Sequence, residues 1–155
     1  MAAASAFDTL PGQELTTEEA MRLVGDRKAW RAIFSDNYPE LVAEGFQWPE
    51  GPTWLEEDKS LIFSDTITGK LHQYKDGAIT LLKEHAGGCA VDTCDAEQHE
   101  PGSNGMARVG DRIAVCQHGA RRLAFLDLAS MKEELIVNKH GRARLNGPND
   151  VVATK

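Results

Sequence analysis

The sequence predicts an all-β fold in which a four-stranded unit is repeated. Fourteen glycines and six prolines are spread along the 155 residues, and from residue 50 onward short apolar runs alternate with turn signals. Each successive unit begins near a polar residue, and we call these three residues the anchors. They are Glu50, Asn104 and Asn149, which lie 54 and then 45 positions apart. A four-stranded unit that recurs about every 40 to 50 residues is typical of a β-propeller blade. We therefore expect a β-propeller.

Residues 1–40 precede the repeat and differ from it. Thr16 and Glu19 have the spacing of a capping box, in which each side chain accepts a hydrogen bond from a backbone N–H left unpaired at a helix start. Residues at helical spacing then follow as far as Trp30. We expect a short helix in an N-terminal extension over residues 1–40, followed by a partial propeller over residues 41–155.

The first repeated unit consists of four predicted strands joined by tight turns. The Asp76-Gly77 pair between the last two strands is a strong signal for a two-residue hairpin. Consecutive hairpins of this kind give an antiparallel meander. The predicted strands are Gly51–Leu55, Leu61–Asp65, Leu71–Tyr74 and Ala78–Leu82.

The second unit repeats this pattern after a longer loop over Gly87–Ser103. Its predicted strands are Asn104–Val109, Ile113–Gln117, Leu123–Leu128 and Leu135–Asn138, and Asn149–Val152 is expected to be the first strand of a third unit. Propellers have about four to eight blades, each packed between its neighbours. Two units would leave apolar faces and strand edges exposed. We therefore expect a truncated chain or, as the less favoured alternative, self-association with another copy through the exposed blade edges.

Charge and hydropathy argue against two classes of binding partner, nucleic acids and membranes. Lysine and arginine total 17 against 24 aspartate and glutamate residues, which gives a formal net charge of −7. Binding to a phosphate backbone depends on clustered cations, so a nucleic-acid partner is not expected. No run approaches the roughly 20 apolar residues of a membrane span, and no membrane association is expected. The N-terminus lacks the basic and apolar regions of a secretory signal, which favours a cytoplasmic location.

Three cysteines, Cys89, Cys94 and Cys116, are too few for a disulfide framework. Reduced thiols are the favoured interpretation for a cytoplasmic chain, with a Cys89–Cys94 bridge as the alternative in an oxidising compartment. A zinc site that combines Cys89 and Cys94 with His85 and His99 is disfavoured, because the spacing is loose and no second cysteine pair follows.

The three anchors are the candidate functional residues. In a propeller, the start of each innermost strand lines the central channel, so polar residues at that position converge on one axis. The carboxylate of Glu50 and the amide oxygens of Asn104 and Asn149 are hard ligands that suit Ca²⁺, Mg²⁺ or Mn²⁺. Taken singly, each residue could simply cap a turn. Their recurrence in register favours a divalent-cation site.

Five motifs resemble successive motifs of the gluconolactonase family, the group related to regucalcin or senescence marker protein. The resemblance runs from about residue 41 to the end of the sequence, with the motifs in family order. They are Trp48-Pro-Glu-Gly-Pro52, Phe63-Ser-Asp65, Glu100-Pro-Gly-Ser-Asn-Gly105, Val115-Cys-Gln-His-Gly-Ala-Arg-Arg122 and Arg144-Leu-Asn-Gly-Pro-Asn-Asp-Val-Val152.

This resemblance implies a six-bladed propeller that hydrolyses a small sugar lactone with one divalent metal ion, Ca²⁺ foremost, with Zn²⁺, Mg²⁺ or Mn²⁺ as alternatives. By position, Glu50 and Asn149 match metal ligands of the family, and Asn104 matches a channel residue that contacts substrate. The family's remaining ligand, an Asp that is also its expected general base, would lie beyond Lys155. No catalytic residue is therefore identified, and we expect weak metal binding with little or no turnover.

One departure from the family pattern concerns the substrate. Gln117 and His118 stand where family members often carry Glu-His, and glutamine keeps a hydrogen-bonding oxygen but loses the charge. Both are candidate substrate-binding residues, although a turn histidine such as His118 is as often structural. The tryptophans that flank Glu50-Gly51-Pro52, Trp48 and Trp54, are interpreted as core packing.

The favoured function is thus metal-dependent hydrolysis of a sugar lactone, with a truncated chain. The alternative is a non-catalytic propeller remnant that folds only with a partner or another copy. Hydrolysis of other esters on the same scaffold is a third option, because a fold does not fix the chemistry.

Overall fold

The computed structural model describes residues 13–14, 40–90, 94 and 100–154. These residues form strands and turns with no helix among them, so none of the described elements is a helix able to cross a membrane. The helix predicted between Thr16 and Trp30 lies outside the described residues. The chain divides into two compact units, Met1–Gly45 and Phe46–Lys155. In the first unit, β1 (Gln13–Glu14) pairs antiparallel with β2 (Glu40–Leu41).

The first four-stranded sheet of the second unit is an antiparallel meander, as predicted. Its strands lie in sequence order: β3 (Pro49–Leu55), β4 (Ser60–Asp65), β5 (Lys70–Lys75) and β6 (Ala78–Lys83). Asp76 and Gly77 both have positive φ, at 50° and 79°. That is the conformation a two-residue type I′ hairpin requires, and it explains why this pair connects β5 to β6.

The second sheet repeats the first. It contains β7 (Ser103–Val109), β8 (Arg112–Gln117), β9 (Arg122–Leu126) and β10 (Glu133–Val137), again antiparallel and in sequence order. A small hairpin of β11 (Lys139–His140) and β12 (Ala143–Arg144) follows it. The predicted strand over Asn149–Val152 is wrong, because this segment is irregular and no described strand forms a ladder with it. Its backbone nevertheless reaches β7, where the Gly105 N–H donates to the Asn149 carbonyl at 2.7 Å.

The core lies where the two sheets face each other, with β3 beside β7. Polar links cross the same boundary: the Thr53 hydroxyl donates to the Met106 carbonyl at 3.3 Å, and the hydroxyls of Ser64 and Ser103 are 2.7 Å apart. The boundary is therefore packed and hydrogen-bonded like a domain interior. Its buried apolar side chains are Leu55, Ile62, Leu71, Ala86, Met106, Ile113, Val115 and Leu126.

The described residues do not form a closed propeller. Two sheets cannot surround an axis, since closure takes about four or more. Apolar side chains consequently remain exposed on the outer faces and strands. Trp48 and Trp54 are 55% and 50% exposed, so their interpretation as core residues is wrong.

Candidate functional site

The structure brings the three anchors together in one cleft of about 400 Å³. That volume is within the range of small-molecule sites, about 300–1,000 Å³. The cleft lies where the starts of the inner strands β3 and β7 meet the irregular segment around residue 149. Its lining residues are Glu50, Gly51, Pro52, Asn104, Gly105, Met106, Asn149, Asp150, Val151 and Val152.

A glycine after each of the first two anchors allows this convergence. A Cβ on Gly51 would lie 2.4 Å from the carbonyl oxygen of Asn104, and one on Gly105 would lie 2.8 Å from that of Asn149. Such distances are closer than real Cβ contacts allow, so only glycine lets the backbones approach in this way. Gly51 therefore lets the backbone beside Glu50 lie against Asn104, and Gly105 lets the backbone beside Asn104 lie against Asn149.

Glu50 is held by the segment that precedes it. The indole N–H of Trp48 donates to Oε1 of Glu50 at 3.1 Å. Asp65 in turn accepts the backbone N–H groups of Gln47 at 3.1 Å and of Trp48 at 3.0 Å. Burial raises the pKa of Asp65, but these hydrogen bonds and those from Thr68 outweigh it and leave the pKa below its ordinary value. An ionised Asp65 thus fixes the approach to Glu50, a role for the Phe63-Ser-Asp65 motif that the sequence did not reveal.

Asn104 is buried, and its amide contacts a second carboxylate. Its Nδ2 donates to Oε2 of Glu100 at 3.5 Å, and the same oxygen lies 3.2 Å from Nδ1 of His118, which forms no hydrogen bond. Glu100 belongs to the Glu100-Pro-Gly-Ser-Asn-Gly105 motif but was not among the predicted site residues. Its charge, four positions before Asn104, was the signal that could have found it.

Gln117 and His118 do not line the cleft with the anchors. Gln117 is only 2% exposed, and both ends of its amide have partners: Nε2 donates to the Ala86 carbonyl at 3.0 Å, and Oε1 accepts from Nε of Arg122. His118 lies next to Glu100, the residue that Asn104 contacts, and does not line the cleft. The structure therefore separates these two candidates from Glu50 and Asn149.

The donor atoms of the cleft suit a hard divalent cation. Glu50 supplies a carboxylate, and Asn104 and Asn149 supply amide oxygens, the atom types that Ca²⁺ and Mg²⁺ prefer. Asp150 also lines the cleft, where its Oδ1 accepts the N–H of Val151 at 2.8 Å. Among the described residues, no three His, Cys, Asp or Glu side chains are grouped as a metal site would require. The cleft therefore fits such an ion in donor chemistry, and its described carboxylates are those of Glu50 and Asp150.

The cysteines have different states. Cys89 and Cys94 form a disulfide with Cα atoms 5.5 Å apart, whereas Cys116 is free and buried. Burial raises the pKa of the Cys116 thiol to about 11. The expectation of reduced thiols is thus wrong for Cys89 and Cys94, since the local geometry brings their sulfurs within bonding distance. The bond also leaves neither sulfur for zinc.

These features define an all-β protein of two antiparallel meander sheets whose inner strands carry a polar, oxygen-rich cleft. Residues 48–155 match the family model described as the SMP-30/Gluconolactonase/LRE-like region. The chain belongs to this family, which confirms the resemblance seen in the five motifs.

Similar proteins extend well beyond the length of this chain. It is 30% identical over 118 residues to a gluconolactonase from Zymomonas mobilis, covering 75% of this chain and 33% of that protein. A solved gluconolactonase from Xanthomonas campestris, described as important in glucose secondary metabolic pathways, superposes with a TM-score of 0.66 at 26% identity, covering 82% of this chain and 38% of that one. A structural-genomics target described as a gluconolactonase candidate superposes with a TM-score of 0.56 at 26% identity, covering 72% of this chain and 34% of that one. The chain thus spans about a third of the length of these relatives.

Proposed function

We propose that this chain carries part of a metal-dependent site for hydrolysis of a sugar lactone. The observation that carries the proposal is the convergence of Glu50, Asn104 and Asn149 in one cleft. Membership of the gluconolactonase family and the relatives described as gluconolactonases support the same chemistry. No specific observation favours the non-catalytic alternative.

Glu50 and Asn149 would hold the cation, with Ca²⁺ as the first choice. When bound, such an ion polarises a carbonyl group and lowers the pKa of a bound water. Glu50 is suited to this role because the Trp48 indole occupies only one of its two carboxylate oxygens. The Glu100 contact engages the amide nitrogen of Asn104, so its amide oxygen is the acceptor available to a sugar hydroxyl.

No described residue of the cleft is assigned as general base. One carboxylate among the three anchors leaves a dipositive ion incompletely neutralised, so these residues alone would bind it weakly and support only slow turnover. We further propose that the two sheets are consecutive blades of a six-bladed propeller. Their sequence-ordered meanders and adjacent inner strands support that architecture.

The test is hydrolysis of glucono-lactone by the purified chain, followed by acid release with and without EDTA. We expect slow hydrolysis above the spontaneous rate, abolished by EDTA and reduced at least about tenfold by Glu50→Gln. Glu56→Gln is the matched control, because Glu56 also accepts an indole N–H but lies outside the cleft. Hydrolysis that neither EDTA nor Glu50→Gln affects would refute the proposed site. No hydrolysis above the spontaneous rate would favour the non-catalytic alternative.

A further inference from the structure

The Cys89–Cys94 disulfide packs directly on the turn that follows β8. A Cβ on Gly119 would lie 2.8 Å from Sγ of Cys89, 2.9 Å from Sγ of Cys94 and 2.4 Å from the carbonyl oxygen of Pro101. Both sulfurs therefore touch Gly119 with no room for a side chain between them. Sγ of Cys94 also lies 3.7 Å from the carbonyl oxygen of Pro101. The bonded pair thus contacts two separate segments, residues 118–120 and residues 100–102.

Backbone hydrogen bonds join the same segments. The Ala120 N–H donates to the Gly87 carbonyl at 2.9 Å, and the Gly119 N–H donates to the Gly102 carbonyl at 3.4 Å. Gly102 in turn donates to the Thr66 carbonyl in the first sheet at 2.8 Å. We refer to residues 87–89, 94, 100–102 and 118–120 as the clamp. Its 100–102 segment leads directly into β7, which carries Asn104.

We propose that Cys89 and Cys94 form a reversible thiol–disulfide site whose oxidised state holds Glu100 and Asn104 in place beside the cleft. The reactant is a dithiol reductant. One of its thiolates attacks a cysteine sulfur and breaks the S–S bond, and its second thiolate then releases the first cysteine from the mixed disulfide. Two electrons and two protons pass from the dithiol to Cys89 and Cys94, and the reductant leaves as a disulfide.

Accessibility confines this exchange to the one pair. Cys89 and Cys94 are partly exposed, whereas Cys116 is 1% exposed. A buried neutral thiol contributes almost no thiolate, so Cys116 stays unreactive while the chain is folded. The cytoplasmic location proposed from the sequence would expose the bond to cellular dithiols, and disulfides in that compartment are usually transient.

Reduction must loosen the clamp for a steric reason. Two thiol sulfurs need a wider separation than two bonded sulfurs, and there is no free space on the side where both face Gly119 and Cys94 faces Pro101. We therefore expect the separating cysteines to shift away from residues 118–120 and 100–102. The segment that positions Glu100 and Asn104 then loses part of its support.

The first experiment counts thiols. The chain is purified without reductant, unfolded and alkylated, and its mass is measured before and after treatment with a dithiol. We expect one alkylated cysteine before reduction and three after it. In the folded, reduced chain, Cys89 and Cys94 are expected to react while Cys116 does not. Three alkylated cysteines without any reductant would overturn the proposal.

The second experiment asks whether the bond supports the site. Hydrogen exchange of peptides that cover residues 100–104 and 118–120 is expected to accelerate about tenfold or more on reduction, with residues 71–82 as an unchanged reference. A chain with Cys89→Ser and Cys94→Ser should exchange like the reduced protein, while Cys116→Ala should keep the redox response. Equal exchange at residues 100–104 in both redox states would overturn the clamp. Reduction needs no mutation, so a variant that fails to fold leaves this comparison intact.

An effect on lactone hydrolysis rests on the proposed function, whereas the thiol count and the hydrogen exchange do not. If EDTA-sensitive hydrolysis occurs, it should fall on reduction and return on reoxidation. Hydrolysis that is the same in both redox states would overturn the link to the cleft. Absence of hydrolysis in both states would contradict the proposed function alone.

Discussion

Trp48 and Trp54 offer a matched pair of indole–carboxylate contacts. Each tryptophan is half exposed and donates its indole N–H to the glutamate two positions later, Trp48 to Glu50 at 3.1 Å and Trp54 to Glu56 at 2.7 Å. Only Glu50 lies in the cleft. We therefore expect Trp48→Phe to weaken Ca²⁺ binding about two- to tenfold, the value of one hydrogen bond that orients a ligand. Calorimetric titration measures this, and Trp54→Phe should leave the affinity unchanged. Equal affinities of both variants and the wild type would show that Glu50 does not depend on the indole.

His72 gives the fold a pH dependence. Its ring stacks on Phe63 with centroids 5.5 Å apart and meets Phe46 edge-on at 5.2 Å, and both ring nitrogens are buried without hydrogen bonds. Burial lowers the pKa of His72 below 6.5, assisted by Lys70 and opposed by Asp65. The unfolded chain therefore binds a proton that the folded chain resists. The free energy of unfolding should be fully present above the ordinary histidine pKa and decline as the pH falls below it.

Urea unfolding at pH 7.5 and 5.5 measures this effect above the range where most carboxylates titrate. We expect a lower unfolding midpoint at pH 5.5, and His72→Phe should reduce the difference between the two midpoints. His85 and His140 are exposed and provide control positions. An unchanged difference in the His72→Phe chain would assign the pH dependence to another group.

At the scale of elements, glycines on the inner strands set how closely the neighbouring backbone can approach. A Cβ on Gly105 would lie 2.7 Å from Cα of Asp150, so Gly105→Ala must push the Asn149 segment away from β7. We expect this variant to lose about 1–3 kcal/mol of unfolding free energy, typical of overpacking, and to bind Ca²⁺ more weakly. Gly77→Ala is the control, because its Cβ meets open space although its φ of +79° is strained. It should lose stability but keep the cation affinity, and a Gly105→Ala chain with unchanged affinity would contradict the spacing argument.

The eight strands of the two meanders were predictable because each is short, apolar and bounded by a turn signal, with the Asp76-Gly77 pair the strongest example. Predictions from local sequence pattern were wrong where the structure depends on residues that are distant in the sequence. Asn149–Val152 has strand-like composition, but no described strand pairs with it. The exposure of Trp54 depends on what covers the outer face of β3, and that information is not local. The hairpin at residues 139–144 was missed because its sequence is polar and charged.

The candidate site, like the fold, was predictable from the sequence only in part. Recurrence in register predicted that Glu50, Asn104 and Asn149 would meet, and the structure places them in one cleft. The supporting groups were not predictable, because Asp65 and Glu100 act through backbone geometry and through a neighbour in space. The Cys89–Cys94 spacing permitted a bridge but could not decide it, since pairing depends on how the chain folds around Gly119.

At the scale of the whole molecule, a polar network ties the two sheets together. Glu133 on β10 pairs with Lys83 on β6 at 3.3 Å and with Arg122 at 2.7 Å, and Arg122 donates to Gln117. Gln117→Ala would leave buried partners of its amide unsatisfied, which costs about 1–3 kcal/mol. Gln73→Ala, whose amide bonds lie within one sheet, should cost less because that site is less buried. Urea unfolding compares them, and a Gln117→Ala chain of wild-type stability that had lost lactone affinity would instead support the substrate-binding prediction.

We expect the outer strands β6 and β10 to favour association with a second copy of the chain. Each has one pairing partner among the described strands, and each exposes apolar side chains, such as Leu81 on β6 and Leu135 on β10. Unpaired strand edges with exposed apolar groups favour edge-to-edge pairing with another chain.

Sedimentation velocity should therefore show a weight-average mass that rises with protein concentration. Leu135→Lys or Leu81→Lys should lower that mass by placing charge on the responsible edge, whereas Val109→Lys should not, because Val109 lies on β7, which packs beside β3. If all three variants and the wild type sediment as monomers at high concentration, the edges are protected without a partner and self-association is not needed to stabilise the two sheets.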